Sequence, residues 1–367
     1  MAEILFVTWD GGGNLPPALG LAAELLARGH IVRFLGHAQQ RRSIEAAGFG
    51  FAAYAHARPG SSTEPNAGLS GAARIFAMFT DDGPGTDLLA ELARRPADLV
   101  VLDCMSLGAL RAAERAGLRR GLGAHLLPLH DSSVESRPDR PDGPVEGTAP
   151  EAAVGQRRPR PGRIGPRARP RRGSEPACVA HHIGVVQPAP LLPDGDRAGP
   201  DVLVSLSTTF FPGQDRALQS ILDALAPLLP VRALVTIGEA ADPATLRPPG
   251  NVEVHRLRPH AEVLPSVRMV IGHGGHSTTM RALSHDLPLL VMPMHPMLDQ
   301  KMIGQSVQEH GAARLLSKTA SLEQIREAAG SLLESGPHTA AAIGSRLRAH
   351  SGAVIGADRL APVLADL

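Results

Sequence analysis

Short apolar runs recur along the chain, and stretches with helical spacing lie between them. Ile4 to Thr8, Ile31 to Leu35, Phe49 to Ala53, Asp98 to Leu102 and Leu122 to Leu127 each read as a buried strand of four to six residues. Between the first two, Leu19, Leu21, Ala22, Leu25 and Leu26 form an apolar face over Ala18 to Arg28, and Gly29 follows as a natural helix stop. Further helices are predicted over Ala38 to Ala47, Leu88 to Arg95 and Ser106 to Ala116, with a Gly/Ser/Pro-rich surface loop at 57–72. A second series opens at Asp201 to Leu206. It continues through a helix at Gln214 to Leu228 and strands at Val231 to Ile237 and Val252 to His255, and it turns helical again from Leu322. Strand and helix alternating twice over predicts an α/β protein with two doubly wound parallel sheets. Ligands of such sheets bind at the carboxyl ends of the strands, where Asp10, Asn14, Asp103 and His125 fall in the first series.

The most informative stretch is Arg268 to Gln300. Its apolar run Met269 to Ile271 stops at Gly272 and gives way to HGGHSTT. Met280 and Leu283 then keep helical spacing, and Leu287 to Met292 is apolar again. That order is strand, glycine turn, helix, strand. Gly274 and Gly275 let a ligand come close to the main chain, and Ser277 and Thr278 are expected as helix N-caps with hydroxyl donors. A helix start of this kind is an anion site, and diphosphate is the usual anion in such folds.

Bulk properties narrow the field. A chain of 367 residues favours two domains, and 43% hydrophobic residues can fill two cores. The expected division is an N-terminal Rossmann-like domain at 1–186, a Pro/Gly/Asp-rich linker at 187–200, and a second Rossmann-like domain at 201–350. The helical tail at 351–367 is expected to pack back on the first domain. A net charge of +1 gives no field that points to nucleic acid. Two cysteines, Cys104 and Cys178, fit a reducing compartment rather than a disulfide framework. With no basic leader segment and no apolar run near the roughly 20 residues of a membrane span, a cytoplasmic protein without membrane insertion is expected. Residues 136–175 break the pattern, with ten Arg, eight Pro and six Gly. That composition reads as an irregular insertion, with a basic arm or an out-of-frame stretch of a GC-rich gene as alternatives.

With both series in hand, the chain resembles the family 1 glycosyltransferases of the GT-B fold, and among them the bacterial enzymes that decorate small natural products. The residues that carry the resemblance come in order. They are LRPH (257–260), EVLP (262–265), HGGHSTT (273–279), Leu287 with Pro288, Pro293, and Asp299 with Gln300. GGGNLPP (11–17) and ARGH (27–30) support it, and 136–175 has no counterpart. The resemblance implies two Rossmann-like domains facing a cleft. A nucleotide-diphosphate sugar (UDP or dTDP) would bind on the second and a small acceptor on the first. Transfer would invert the anomeric carbon, with neither metal nor further cofactor.

The resemblance also implies roles. His273 would contact the diphosphate, with Gly274, Gly275, Ser277 and Thr278 as its cradle. Ser207 and Thr208 would face the phosphates from a neighbouring loop. Leu257, Arg258 and His260 would frame the base, and Asp299 and Gln300 would hold sugar hydroxyls. Gly13 and His125 would border the acceptor. Asn14 stands where the family has its general base, a histidine, and its aspartate partner aligns with Asp103. An amide takes up no proton near neutral pH, so Asp10 or Asp103 would have to assist, or His125. Arg281 stands where a glutamate usually holds the ribose. His273 and His276 are three apart but have no cluster around them that would make a zinc site. Met292, Met294 and Met297 read as packing, and His181 and His182 as structural. Three other readings stay open. They are a non-catalytic relative that binds a nucleotide or assists a partner enzyme, a sugar-nucleotide epimerase, and, from the glycines at 11–13, a dinucleotide oxidoreductase. A homodimer is also left open.

Overall fold

The apolar runs within the described residues become strands, and the two series become two sheets; of the run expected at Leu122 to Leu127 only the first two residues are described, in a strand that begins at Arg120. The computed structural model describes residues 1–11, 13–59, 77–118, 120–123, 186, 199–207, 209–238, 241–296, 298–335 and 338–365. The first series runs β1 (Glu3–Val7), α1 (Leu15–Ala27), β2 (Ile31–Gly36), α2 (Arg41–Ala46), β3 (Gly50–Ala53), α3 (Gly83–Arg94), β4 (Leu99–Asp103), α4 (Leu107–Arg115) and β5 (Arg120–Gly123). The second begins with β6 (Val202–Ser205), α5 (Gln214–Leu225), β7 (Ala233–Thr236), β8 (Val252–His255), α6 (His260–Val263), β9 (Met269–Gly272) and α7 (His276–Ser284). It ends with β10 (Leu289–Val291), α8 (Gln300–Glu309), β11 (Ala313–Leu315), α9 (Leu322–Ser335), α10 (His338–Ala349) and α11 (Gly352–Ala365).

Boundaries differ from the sequence expectation for local reasons. Helix α1 starts at Leu15, three residues before the expected Ala18, because Pro16 and Pro17 fit a first turn, where φ is preset and no N–H is required. Helix α5 stops at Leu225, not Leu228: Ala226 still has helical backbone (φ −51°, ψ −47°), but Pro227 lacks the N–H to continue the ladder. The helix expected over Ala38 to Ala47 opens as a 3-10 turn, Ala38–Gln40. His125, the loop at 60–72, and the irregular stretch at 136–175 lie outside the described residues, as do His181, His182, the linker at 187–198, Thr208 and Met297.

The first sheet has the order β3-β2-β1-β4-β5 and the second β11-β10-β9-β6-β7-β8, with every pairing parallel. Both faces of each sheet are covered. Along β1, Ile4 and Phe6 pack with Leu25, Phe34 and Ile44, while Leu5 and Val7 pack with Leu88 and Ala109 on the other side. Along β6, Val202 and Val204 join Ile271 and Leu222, while Leu203 joins Val270 and Leu289. Burial on both faces explains why these strands read as continuous apolar runs. Each such side chain contributes about 1.5–3 kcal/mol. The last helix belongs to the first layer, since Ala357, Leu360 and Leu364 of α11 pack with the cluster around Leu25 and Phe34. Among the described residues no helix is long and apolar enough to cross a membrane.

These strand orders locate the ligand crevices. The chain reverses its winding between β1 and β4 in one sheet and between β6 and β9 in the other, and such points open a crevice beyond the strand ends. Val7 pairs with Leu102 across the first, and Ser205 with Gly272 across the second. The carboxyl ends of β1, β4, β6 and β9 therefore converge, with Asp103 at the end of β4 and Asn14, Ser207 and His273 in the segments after β1, β6 and β9.

Candidate functional site

A cleft of about 840 Å³ lies between these strand ends. One side is lined by Trp9, Gly13 and Asn14 with Met78, Phe79 and Met105, and the other by Ser207, the 256–260 turn and the start of α7.

On the α7 side, the β9–α7 turn is built around two glycines that are needed for different reasons. Gly274 has φ +85°, and a Cβ there would stand 2.5 Å from the Gln300 carbonyl oxygen and 2.9 Å from Val291 Cγ1. Gly275 has ordinary backbone, φ −66°, but a Cβ would run into the His273 imidazole. Gly275 is the N-cap of α7, so Ser277 and Thr278 are not caps as expected from sequence; both lie in the first turn and line the cleft. The first internal bond of the helix runs from the Thr279 N–H to the Gly275 carbonyl at 3.0 Å. The Ser277 and Thr278 amides therefore precede that ladder and have no carbonyl within the helix to donate to. Together with the helix dipole they favour an anion at this point. Gly274 itself is buried and is not among the lining residues, so its part is to shape the turn.

His273 stands beside this helix start. Its Nδ1 is buried without a hydrogen-bonding partner, and its ring lies 6.2 Å from that of Phe211. Burial holds its pKa down to about 4, with the Ser205 carbonyl pulling weakly upward. His260, on the same lip, is held to about 4 by burial and then by the positive charge of Arg281, and its Nε2 lies 3.4 Å from Thr236 Oγ1. Both rings are neutral at pH 7. A histidine whose folded pKa lies below its usual value of about 6.5 binds its proton more readily once unfolded. Its stabilising contribution is complete above about pH 6.5 and is lost as the pH falls toward 4, by up to about 1.4 kcal/mol per pH unit for each ring. Urea unfolding at pH 7 and pH 5 is expected to give a clear drop in stability on the acid side, and His260→Gln should make that drop smaller. An unchanged drop in the variant would mean that other groups titrate.

Three amide and ammonium side chains shape the loops around this lip. Gln214 donates from Nε2 to the Ser207 carbonyl at 3.2 Å and accepts the Phe211 N–H at 3.1 Å. It clamps Ser207 at φ +149°, a backbone region that costs a serine on the order of 1–3 kcal/mol. The Ser207 hydroxyl accepts the Thr209 N–H at 2.9 Å. Gln300 is 2% exposed, and its amide oxygen accepts the N–H groups of Met294 and His295 at 2.8 and 3.1 Å. Only its amide nitrogen is therefore left for the sugar contact expected from sequence. Lys318 donates to the carbonyls of Pro212 and Met294, both at 3.0 Å, and so ties the two loops together. Gln214 and Lys318 escaped the sequence reading because they act on backbone brought near only by the fold. Leu257 is 74% exposed, an apolar platform on the rim, with Arg258 beside it, and Asp299 and Arg281 also line the cleft.

Across the cleft, Asn14 is 6% exposed at the head of α1. Its amide donates to the Trp9 carbonyl at 2.8 Å and to Asp103 Oδ2 at 2.8 Å, and its oxygen accepts the Gly11 N–H at 3.2 Å. Asp103 Oδ1 in turn accepts the Met105 N–H at 2.9 Å. The fold thus brings Asn14 and Asp103 together across the switch point. Of the three residues expected to be catalytic, only Asn14 lines the cleft; Asp103 sits behind it and Asp10 is not among the lining residues. The first glycine after β1 is required by its neighbour. A Cβ at Gly11 would stand 2.5 Å from the Trp9 ring, so the glycine makes room for the indole to fold over it.

The comparisons with known proteins agree with this geometry. The profile of the erythromycin biosynthesis protein CIII-like C-terminal domain matches residues 219–355, the span that carries α7 and the 256–260 turn. The 4'-demethylrebeccamycin synthase of Lentzea aerocolonigenes is 28% identical over 352 residues, covering 79% of this chain and 82% of the relative. The demethyllactenocin mycarosyltransferase of Streptomyces fradiae is 37% identical over 101 residues, which are 26% of this chain and 21% of the relative. Among solved structures, the glycotransferase of kitacinnamycin superposes with a TM-score of 0.68 at 20% identity, covering 99% of this chain and 98% of its own. The glycosyltransferase VinC, solved in complex with DTDP, gives 0.65 at 18% identity over 98% and 99% of the two chains. At those identities the superpositions speak for the fold, while the family profile and the sequence relatives speak for sugar transfer over the epimerase, oxidoreductase and non-catalytic readings. The chain has the GT-B fold, and in its second half and along most of its length it is similar to glycosyltransferases of family 1 of the bacterial natural-product type.

Proposed function

We propose that the enzyme moves a glycosyl group from a nucleotide-diphosphate sugar, with UDP or dTDP as the nucleotide, to a small-molecule acceptor. The observation that carries this reading is the start of α7, where the amides of Ser277 and Thr278, their hydroxyls and the neutral His273 ring meet at one end of the cleft. That set suits a diphosphate leaving group. Hydrogen bonds and the helix dipole stabilise the charge that develops on it, so the reaction needs no metal ion and no further cofactor. The Leu257 side chain and the neighbouring Arg258 and His260 suit a base and its sugar. Ser207 faces the phosphates, and the Gln300 amide nitrogen and Asp299 extend the donor site, with Thr208 assigned there from the family pattern alone. Gly13 and Asn14 border the acceptor, with His125 assigned there from the family pattern alone. An acceptor and donor held on opposite lips react by a single displacement, which inverts the anomeric carbon. The dTDP bound to VinC supports the donor class. The division into domains at 1–186 and 201–350, and a cytoplasmic location, belong to the same reading and rest on composition and chain pattern.

Calorimetric titration with UDP and dTDP, followed by nucleotide release assays with and without EDTA, tests the reading. The expected result is binding of at least one nucleotide, release that depends on acceptor and is indifferent to EDTA, and a product of inverted configuration by NMR. Binding of neither nucleotide, or release abolished by EDTA, would overturn it.

A further inference from the structure

The acceptor side of the cleft has a fixed aromatic wall and a polar group that cannot act as a base. Trp9 forms the wall. Its ring lies over Gly11, meets the Phe79 ring edge-on at a centroid distance of 5.0 Å, and its carbonyl accepts from the Asn14 and Gln40 amides at 2.8 and 3.0 Å. Met78, Met105 and Pro16 extend the apolar surface. A preorganised aromatic and thioether wall favours a flat, polarisable ring. The polar group is Asn14, whose two N–H bonds and oxygen are all engaged.

We propose that the acceptor of this enzyme is an aromatic ring bearing an acidic hydroxyl, a phenol or enol that enters the reaction as its own anion. The inference rests on the sugar-transfer reading above and names its acceptor class. The hydroxyl gives its proton to water before attack. The oxygen lone pair then forms a bond to the anomeric carbon as the bond from that carbon to the diphosphate oxygen breaks, and the electron pair leaves with the nucleotide diphosphate. Asn14 and Asp103 position the loop and the wall; neither takes the proton. Among the described residues, the charged and titratable groups that line the cleft are Arg256, Arg258, Arg281, His260, His273, His276 and Asp299, with Asp103 behind Asn14. Arg258 is paired with Glu262 at 3.9 Å, while Arg256 and Arg281 on the facing lip add positive charge, shared with the donor diphosphate, that favours an anionic acceptor. His260 and His273 are too weakly basic to take a hydroxyl proton.

A series of substituted phenols of graded acidity, set against aliphatic alcohols of similar size, tests this on the full-length enzyme. In kcat/KM against pH, the acid-side inflection is expected to move with the pKa of each phenol, and the alcohols should react at least about tenfold more slowly. Asn14→His should raise the alcohol rates more than the phenol rates and add one inflection common to all acceptors. Trp9→Leu should raise KM for aromatic acceptors about tenfold while nucleotide affinity holds. One inflection shared by every acceptor in the unmodified enzyme, lost in His276→Gln or Asp299→Asn, would overturn the inference and identify a protein base. Alcohols reacting as fast as phenols would overturn it too. Nucleotide binding with no turnover of any acceptor would take down the transfer reading itself.

Discussion

With His273 in the proposed donor site, His273→Ala is expected to lower kcat/KM for sugar transfer by about 10²- to 10³-fold, the cost of removing one preorganised donor from a developing oxyanion. The ring is neutral at working pH, so what is lost is an N–H donor in a half-buried site and not a charge. The fold should survive. Loss of the ring removes packing against Phe211 and a weak pull from the Ser205 carbonyl, with no buried charge left behind. Initial rates and urea unfolding on the same preparation separate the two effects. His273→Gln, which keeps an N–H donor, should recover part of the rate. A His273→Ala rate within about threefold of the parent, with nucleotide affinity unchanged, would remove this residue from the donor site.

Gly274→Ala is expected to destabilise the protein by roughly 2–5 kcal/mol, adding the left-handed backbone penalty to an overpacking cost. The new methyl would meet the Gln300 carbonyl at 2.5 Å, and that oxygen belongs to the first turn of α8 and cannot rotate away. Shifting it moves the Gln300 side chain that holds the Met294 and His295 amides, so the donor loop is disturbed with it. Gly275→Ala is the informative contrast. Its backbone already suits alanine, and the obstacle is the tip of the His273 side chain. It should unfold close to the parent in urea but bind dTDP or UDP less tightly, because the imidazole is pushed out of place. Equal stability losses in the two variants would mean that both glycines serve only the turn.

Much of the fold was readable from the chain because each element carries its own signal. Continuous apolar runs such as that at Leu99–Leu102 can be buried on both faces only within a covered parallel sheet, and the helices between them keep one apolar stripe. The ordered series from Leu257 to Gln300 was equally legible, because a glycine turn between strand and helix is a local device. Terminal positions were less so. Pro16 and Pro17 start a helix and Pro227 ends one, and the same residue type has opposite effects depending on which side of it the helix lies. The acceptor side was read least well. Trp9, Met78, Phe79 and Met105 carry no motif, because their meeting depends on segments tens of residues apart.

By itself, then, the sequence determined two doubly wound parallel sheets, the anion-favouring start of α7, and the fact that residue 14 is an amide that cannot accept a proton. Those properties are local, set by side-chain chemistry and spacing within one or two elements. Only the tertiary structure decided what each group is free to do. It showed that Gln300 spends its oxygen on a loop, that Asn14 spends its whole amide on Trp9, Gly11 and Asp103, and that Gln214 clamps a strained Ser207. Hydrogen-bonding capacity and desolvation are properties of neighbours, and neighbours come from the crossing of β1 with β4 and of β6 with β9.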